Sequence, residues 1–258
     1  MKKYMLEAHQ GVSTEYPGNT LAAFSAAVRL GYDMIELDTK FTADDRCVIL
    51  HDHTINRTAR RRDGSKIESQ LPISSLTLAD ALEYDYGIAA GEQFRGEKLP
   101  TLEEVLEFAA ANRILLKFDN VLQSHTEAQQ EIFFDTVERM GAAEFVGFTA
   151  NSFDFIEKIL HRFPNSQLHY DGPVTDENLA RLSELVPRER VCVWIRFDNE
   201  RTSWCKNPPV SDELAKKIHN IARLGVWLLT KESERTEALE RYQADIIETD
   251  GSLSPERY

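Results

Sequence analysis

Residues 4–38, YMLEAHQGVSTEYPGNTLAAFSAAVRLGYDMIELD, carry the pattern that decides the fold. An apolar run at 4–8 gives way to a turn, then to an amphipathic stretch from about 20 to 30, then to a second apolar run at 33–38. Short apolar runs suit buried parallel strands, and helical periodicity between them suits a covering helix, so the stretch reads as strand, helix, strand. Asn19 is the expected N-cap of that helix and Gly31 its stop.

The alternation continues to the other end of the chain. Residues 114–118, 145–149, 167–170, 191–195, 226–229 and 245–248 read as strands, with helices expected near 102–111, 126–140, 152–162, 176–185, 211–222 and 232–242. Residues 47–51 form one more extended run, which belongs with a polar, irregular insertion at about 52–100. Setting it aside leaves eight strands, and eight βα units in 258 residues suit an α/β fold of the (β/α)8 TIM-barrel type better than an open doubly wound sheet. No linker interrupts the pattern, so residues 1–258 read as a single domain with the insertion after its second strand.

Composition narrows the function. With 42% hydrophobic and 9% aromatic residues the chain has the material for a full core and is not a disordered polymer. The 43 acidic residues exceed the 30 basic ones, for a net charge of −13, which argues against gripping nucleic acid or an anionic membrane with the whole surface. Cys47, Cys192 and Cys205 are far apart and odd in number, so neither a disulfide framework nor a cysteine zinc site is expected. Glu7 and His9 interrupt the basic start before an apolar leader can form, and no stretch nears the ~18 apolar residues of a membrane span. A reducing, cytoplasmic location without stable membrane insertion is the expectation.

In a TIM barrel, polar residues at the carboxyl ends of the strands face the active site. His9 closes the first strand, Glu36 and Asp38 the second, His51 follows the next extended run, and Lys117 and Asp119 close the strand after it. Strand residues two apart share a face, so Glu36 projects with Asp38, and Lys117 with Asp119. Adjacent carboxylates repel unless a cation lies between them, and oxygen ligands with no cysteine nearby suit Mg²⁺ or Ca²⁺. Two histidines flanking such an ion form an acid–base pair able to move protons to and from phosphate ester oxygens near neutral pH. The plain alternative is that the acids are salt-bridge partners and the histidines packing residues. The apolar neighbours Met34, Ile35 and Leu37, and the recurrence at successive strand ends, weigh against it.

These residues carry a family resemblance. His9-Gln10-Gly11, the run from Pro17 to Phe24, Ile35-Glu36-Leu37-Asp38, His51-Asp52 and Asn56-Arg57-Thr58 resemble the HRG, PENTLAAF, VELDV and HDPTLDRT strings of the glycerophosphodiester phosphodiesterases. The likeness continues through 96–106 and ends near 245–250. It implies a TIM barrel that hydrolyses a small-molecule glycerophosphodiester to glycerol phosphate and an alcohol, assisted by a divalent cation. It also implies that His9 and His51 are the catalytic histidines and that Glu36 and Asp38 are metal ligands. In the family a vicinal hydroxyl of the glycerol part is thought to attack phosphorus, giving a cyclic phosphate that water opens. Two rivals stay open: a phosphodiesterase or phospholyase for a sugar-phosphate diester, and a ligand-binding barrel without catalysis.

The sequence departs from the family pattern in three places. The arginine after the first histidine is Gln10, the glutamate of PENT is Gly18, and the usual E-x-K of the third barrel strand reads Lys117-Phe118-Asp119. The exchange on that strand displaces a carboxylate by roughly 7 Å, so Asp119 is the expected third ligand and Lys117 a compensating cation or phosphate contact. Glu7 shares the parity of His9 one layer deeper, with Lys117 its best partner. If that pair forms, Lys117 is structural and Arg196, near the end of the sixth strand, is the replacement phosphate clamp. Trp227 matches a tryptophan position of the family and would wall the pocket. Tyr170, with His169 and Asp171, would meet a polar head group, Trp204 reads as loop surface, and Gln10 remains a candidate substrate contact.

Overall fold

Eight parallel strands close into a barrel in the computed structural model, which describes residues 4–198 and 207–255. Trp204 and Cys205 lie outside the described residues. Around the barrel run β1 (Met5–His9), β2 (Met34–Leu37), β5 (Leu115–Phe118), β6 (Val146–Ala150), β7 (Gln167–Tyr170), β8 (Val191–Arg196), β9 (Arg223–Trp227) and β10 (Ile246–Thr249), which pairs back with β1. After β2 the chain makes an antiparallel hairpin, β3 (Thr39–Phe41) with β4 (Cys47–Ile49), before the insertion.

The helices are α1 (Leu21–Leu30), the short α2 (Leu78–Ala81) of the insertion, α3 (Leu102–Asn112), α4 (Glu127–Arg139), α5 (Phe153–Arg162), α6 (Asp176–Leu185), α7 (Asp212–His219) and α8 (Glu232–Glu240). Their starts follow local chemistry. In α3 and α4 a threonine, Thr101 or Thr126, and the residue three on, Glu104 or Gln129, exchange hydrogen bonds as capping boxes that satisfy otherwise orphaned backbone N–H groups. The expected cap of α1 is corrected: Thr20, not Asn19, accepts from the Ala23 N–H, and Asn19 is left for another task. None of the helices among the described residues is long and apolar enough to cross a membrane.

Two apolar layers hold the barrel. Between sheet and helices, Phe118, Phe133, Phe134, Phe148 and Phe163 meet at centroid separations of 4.8–6.2 Å, many of them edge to face. Inside the barrel a smaller cluster of Met34, Cys192, Trp194 and Ile246 fills the lower layers. Gly147 and Gly225 make that filling possible. A Cβ at either would come 2.6 Å from the inward-pointing His169 or Trp194 respectively.

Gly225 also explains a displaced expectation. The seventh strand runs Arg223–Trp227 rather than 226–229, because the small residue that interrupts its apolar run faces the interior, where Trp194 supplies the bulk. The insertion is less irregular than its polarity suggests. Val48, Leu50, Ile55, Ile73, Tyr86 and Leu99 form a core of their own, and Asp85 gathers the N–H groups of Gly87, Ile88 and Gly96. Cys47 and Cys192 are free, buried thiols.

Candidate active site

Strand register brings the site together. His9 pairs with Glu36 across β1 and β2, and Glu36 with Lys117 across β2 and β5, so three predicted residues lie side by side at one level of the barrel. Just above them, carboxylate oxygens of Glu36, Asp38 and Asp119 all lie within 4.8 Å of one another. The chain at Gln10 and Asn19, both left-handed at φ 58° and 60°, holds this trio in place. Gln10 donates its backbone N–H to Glu36 Oε2 (3.2 Å) and its side-chain amide to Asp38 Oδ2 (3.1 Å), and Asn19 Nδ2 donates to the same oxygen (2.9 Å). Asp119 accepts from the Val121 N–H at the start of the 3-10 turn Asn120–Ser124.

The donor set fits a hard dication. Burial, and then Asp38, Glu248 and Asp119, push the Glu36 carboxyl well above its ordinary range, and burial with Asp38 raises Asp119. Carboxylates that raise one another in this way are short of positive charge, and an all-oxygen set is what Mg²⁺ and Ca²⁺ take.

Lys117 does not supply the missing charge. Its ammonium lies 2.5 Å from Glu7 Oε1 and 2.6 Å from Glu248 Oε2, with the Trp194 ring 3.7 Å away. Burial disfavours that charge, but Glu248, Glu7 and Glu36 outweigh it and hold Lys117 protonated. The lysine is therefore a buried structural ion, and the idea of it as a free phosphate clamp is corrected. Trp194 in turn donates its indole N–H to His169 Nδ1 (2.9 Å), which leaves the His169 proton on Nε2. Burial, Lys117 and Arg223 keep that imidazole neutral.

The two histidines stand in different settings. His9 Nε2 lies 3.8 Å from Glu36 Oε2, with the ring about one-third exposed. His51, beyond β4, is more open and donates from Nδ1 to Asp52 Oδ1 (2.7 Å), while Asp52 receives two hydrogen bonds from Arg57. Those bonds, Arg57's above all, hold the Asp52 carboxyl down at about 2. His9 lines two adjoining cavities: one of about 500 Å³ with Glu36, Asp119, Asp171, Trp227 and Glu248, and one of about 330 Å³ with Gln10, Asn19, His51 and Arg57.

Two further expectations change. Tyr170 is fully buried beside Phe153 and donates its hydroxyl to the Pro173 carbonyl, so it points out into the helix layer and not at a ligand. Parity decides this, since its neighbour His169 faces inward. Arg196 ends β8 in register with Trp227, but it lines neither cavity whereas Trp227 does. Gln10 reaches the pocket wall with its amide bound to Asp38, beside Gly18, whose absent Cβ would come 3.0 Å from Gln10 Oε1. The two departures from the family strings are thus one local replacement.

Sequence reasoning gave Glu248 no role in the site and read Asn19 only as a helix cap. An acid in the middle of the apolar run Ile246-Ile247-Glu248 was the available signal for the first, and a second polar residue beside the capping threonine for the second.

Comparison with known proteins agrees with this fold. A phosphodiesterase of Oleispira antarctica, solved with its product sn-glycerol-3-phosphate, superposes with a TM-score of 0.74 at 19% identity, covering 96% of this chain and 93% of that one. A glycerophosphoryl diester phosphodiesterase of Parabacteroides distasonis gives 0.73 at 19% identity over 98% and 88%. At such identities the likeness is one of fold. A glycerophosphodiester phosphodiesterase of Caldanaerobacter subterraneus is 38% identical over 117 residues, and the match spans 45% of each protein, about half the length of that relative. The profile of the Glycerophosphoryl diester phosphodiesterase family matches residues 9–178, from the first histidine through the strand ends that carry the carboxylates, and the chain belongs to that family.

Proposed function

We propose that the protein is a phosphoric diester hydrolase that cleaves a glycerophosphodiester into glycerol phosphate and an alcohol. Glu36, Asp38 and Asp119 would hold Mg²⁺ or Ca²⁺, and His9 and His51 would move the protons. The observation that carries the reading is the carboxylate trio, within 4.8 Å, next to His9 at the junction of two cavities. The junction suits the phosphorus of a diester, with one ester arm in each cavity. The product bound by the Oleispira relative supports the choice of substrate.

A dication bound to the trio would polarise the phosphoryl oxygens and offset charge that develops on them. The remaining work falls to side chains. Because His51 donates its Nδ1–H to Asp52, a neutral His51 presents Nε2 as an acceptor, which assigns it the proton of the attacking hydroxyl. His9, on the other side of the junction, delivers a proton to the departing alcohol oxygen. In the second half-reaction the two exchange roles, as microscopic reversibility requires.

The test is turnover of a glycerophosphodiester by the protein, its His9→Ala and His51→Ala variants and the chelator-treated protein. Each histidine variant is expected to lose about 10²–10⁴-fold in kcat with unchanged circular dichroism. Chelated protein is expected to recover on adding Mg²⁺ or Ca²⁺. Near-normal turnover in either variant would overturn the acid–base pair, and indifference to chelation would overturn the metal.

A further inference from the structure

Two oxygens buried in the wall of the larger cavity have no hydrogen bond within the protein. Thr149 is 4% exposed and its Oγ1 has no partner. Asp171 receives the Asn120 amide on Oδ2, while its buried Oδ1 has none. Both residues line the cavity, Thr149 near the end of β6 and Asp171 just past β7. An unpaired buried polar group is costly, more so when charged, so these oxygens point to a ligand that brings donors.

Charge then narrows the ligand. Glu36, Asp119 and Glu248 share the lining, and the ammonium of Lys117 is already bound between Glu7 and Glu248. Among the described residues no other lysine or arginine lines this cavity. A dication on Glu36, Asp38 and Asp119 would leave the Asp171 carboxyl without a cation of its own.

Resting on the diesterase reading, we infer that this cavity takes the alcohol part of the substrate, that this alcohol carries a primary ammonium, and that Asp171 and Thr149 select it. An ammonium group has three N–H donors, enough for a charge-assisted bond to Asp171 Oδ1 and a second bond to Thr149 Oγ1. A trimethylammonium has no donor and would bury both oxygens unpaired. Of the two tryptophans lining the cavity among the described residues, Trp194 already carries Lys117 Nζ 3.7 Å from its ring centre, and a contact with Trp227 would still leave both oxygens without a donor. A neutral polyol supplies donors but no charge opposite Asp171.

The experiment measures kcat/KM for glycerophosphoethanolamine, glycerophosphocholine and glycerophosphoglycerol with the metal-loaded protein and with Asp171→Asn and Thr149→Val. The ethanolamine ester is expected to lead both others by about tenfold, the effect of one charge-assisted hydrogen bond. In Asp171→Asn its lead over the glycerol ester should fall to near one. In Thr149→Val, which keeps the shape of the side chain, its lead over the choline ester should fall about threefold. Thermal melts confirm that both variants fold. A choline or glycerol ester turned over as well as the ethanolamine ester, or a lead retained in Asp171→Asn, overturns the inference.

Calorimetric binding of phosphoethanolamine, phosphocholine and glycerol phosphate separates this inference from the reaction itself. If no diester is turned over but phosphoethanolamine still binds most tightly, the head-group selection stands and the diesterase reading fails. If binding shows no such order, the selection fails too.

Discussion

The two histidines of the site stand on opposite kinds of ground. His9 ends a barrel strand, in register with Glu36, above a buried Glu7–Lys117–Glu248 network closed in by Trp194 and His169. His51 follows a two-stranded hairpin, faces solvent and is steadied by Asp52 and Arg57, with the small core of the insertion behind it. The barrel side gains its order from one buried ammonium shared between two carboxyl groups in low dielectric. The insertion side gains it from exposed ion pairs, each of which contributes little to stability. Under the proposed function the difference would separate two duties: one half would hold the metal on largely buried carboxylates, and the other would meet the substrate with solvent-exposed groups.

Removing the central charge should strain that contrast most. Lys117→Met leaves Glu7 and Glu248 buried without their cation and is expected to cost about 3–5 kcal/mol in urea unfolding. A loss below about 1 kcal/mol would show that the network is not what orders the barrel side. The metal comes next. Mg²⁺ or Ca²⁺ at about 100 times its Kd should stabilise the protein by about 2.7 kcal/mol in thermal melts. Asp38→Asn should abolish most of that gain, and an undiminished gain would move the ion away from the trio.

On the insertion side the effects should be kinetic. Asp52→Asn replaces the charged, acceptor-only partner of His51 with an amide that can also donate, so the Nδ1–H tautomer is no longer fixed and kcat should fall about tenfold, less than the ~100-fold or more for losing the imidazole, with melting unchanged. An equal loss in Asp52→Asn and His51→Ala would mean that Asp52 acts on substrate directly.

The smallest effect concerns Arg57. The hydrogen bonds from Arg57, and to a smaller degree from His51, hold the Asp52 carboxyl down at about 2. A depressed carboxylate stabilises the fold fully above its ordinary value near ~4 and loses that contribution as pH falls towards 2. Arg57→Ala should return Asp52 towards ~4 in an NMR titration and change stability near neutral pH by less than about 1 kcal/mol. An unmoved Asp52 would show that Arg57 is not what holds its carboxyl down.

Much of the site was legible from the residues alone. His9, Glu36, Asp38, Lys117 and Asp119 announce themselves as polar residues at the ends of apolar runs, and the two-residue period of a strand fixes which of them share a face. The same rule, applied one residue off, misplaced Tyr170, because inward and outward alternate and a strand end offers no further clue. Arg223 and Gly225 concealed the start of the seventh strand for a related reason: what fills the space beside Gly225 is Trp194, from a neighbouring strand.

Local pattern, then, determined the alternation of elements, the barrel and the ring of acids and imidazoles at its mouth, since parity and periodicity act within a few residues. Tertiary structure alone decided that Lys117 is held by Glu7 and Glu248, that Gln10 and Asn19 share Asp38, and that Thr149 and Asp171 face one cavity. Those partners lie on different strands. Which residues meet across them depends on how far each strand is staggered when the sheet closes, a property of the whole ring that no single segment encodes.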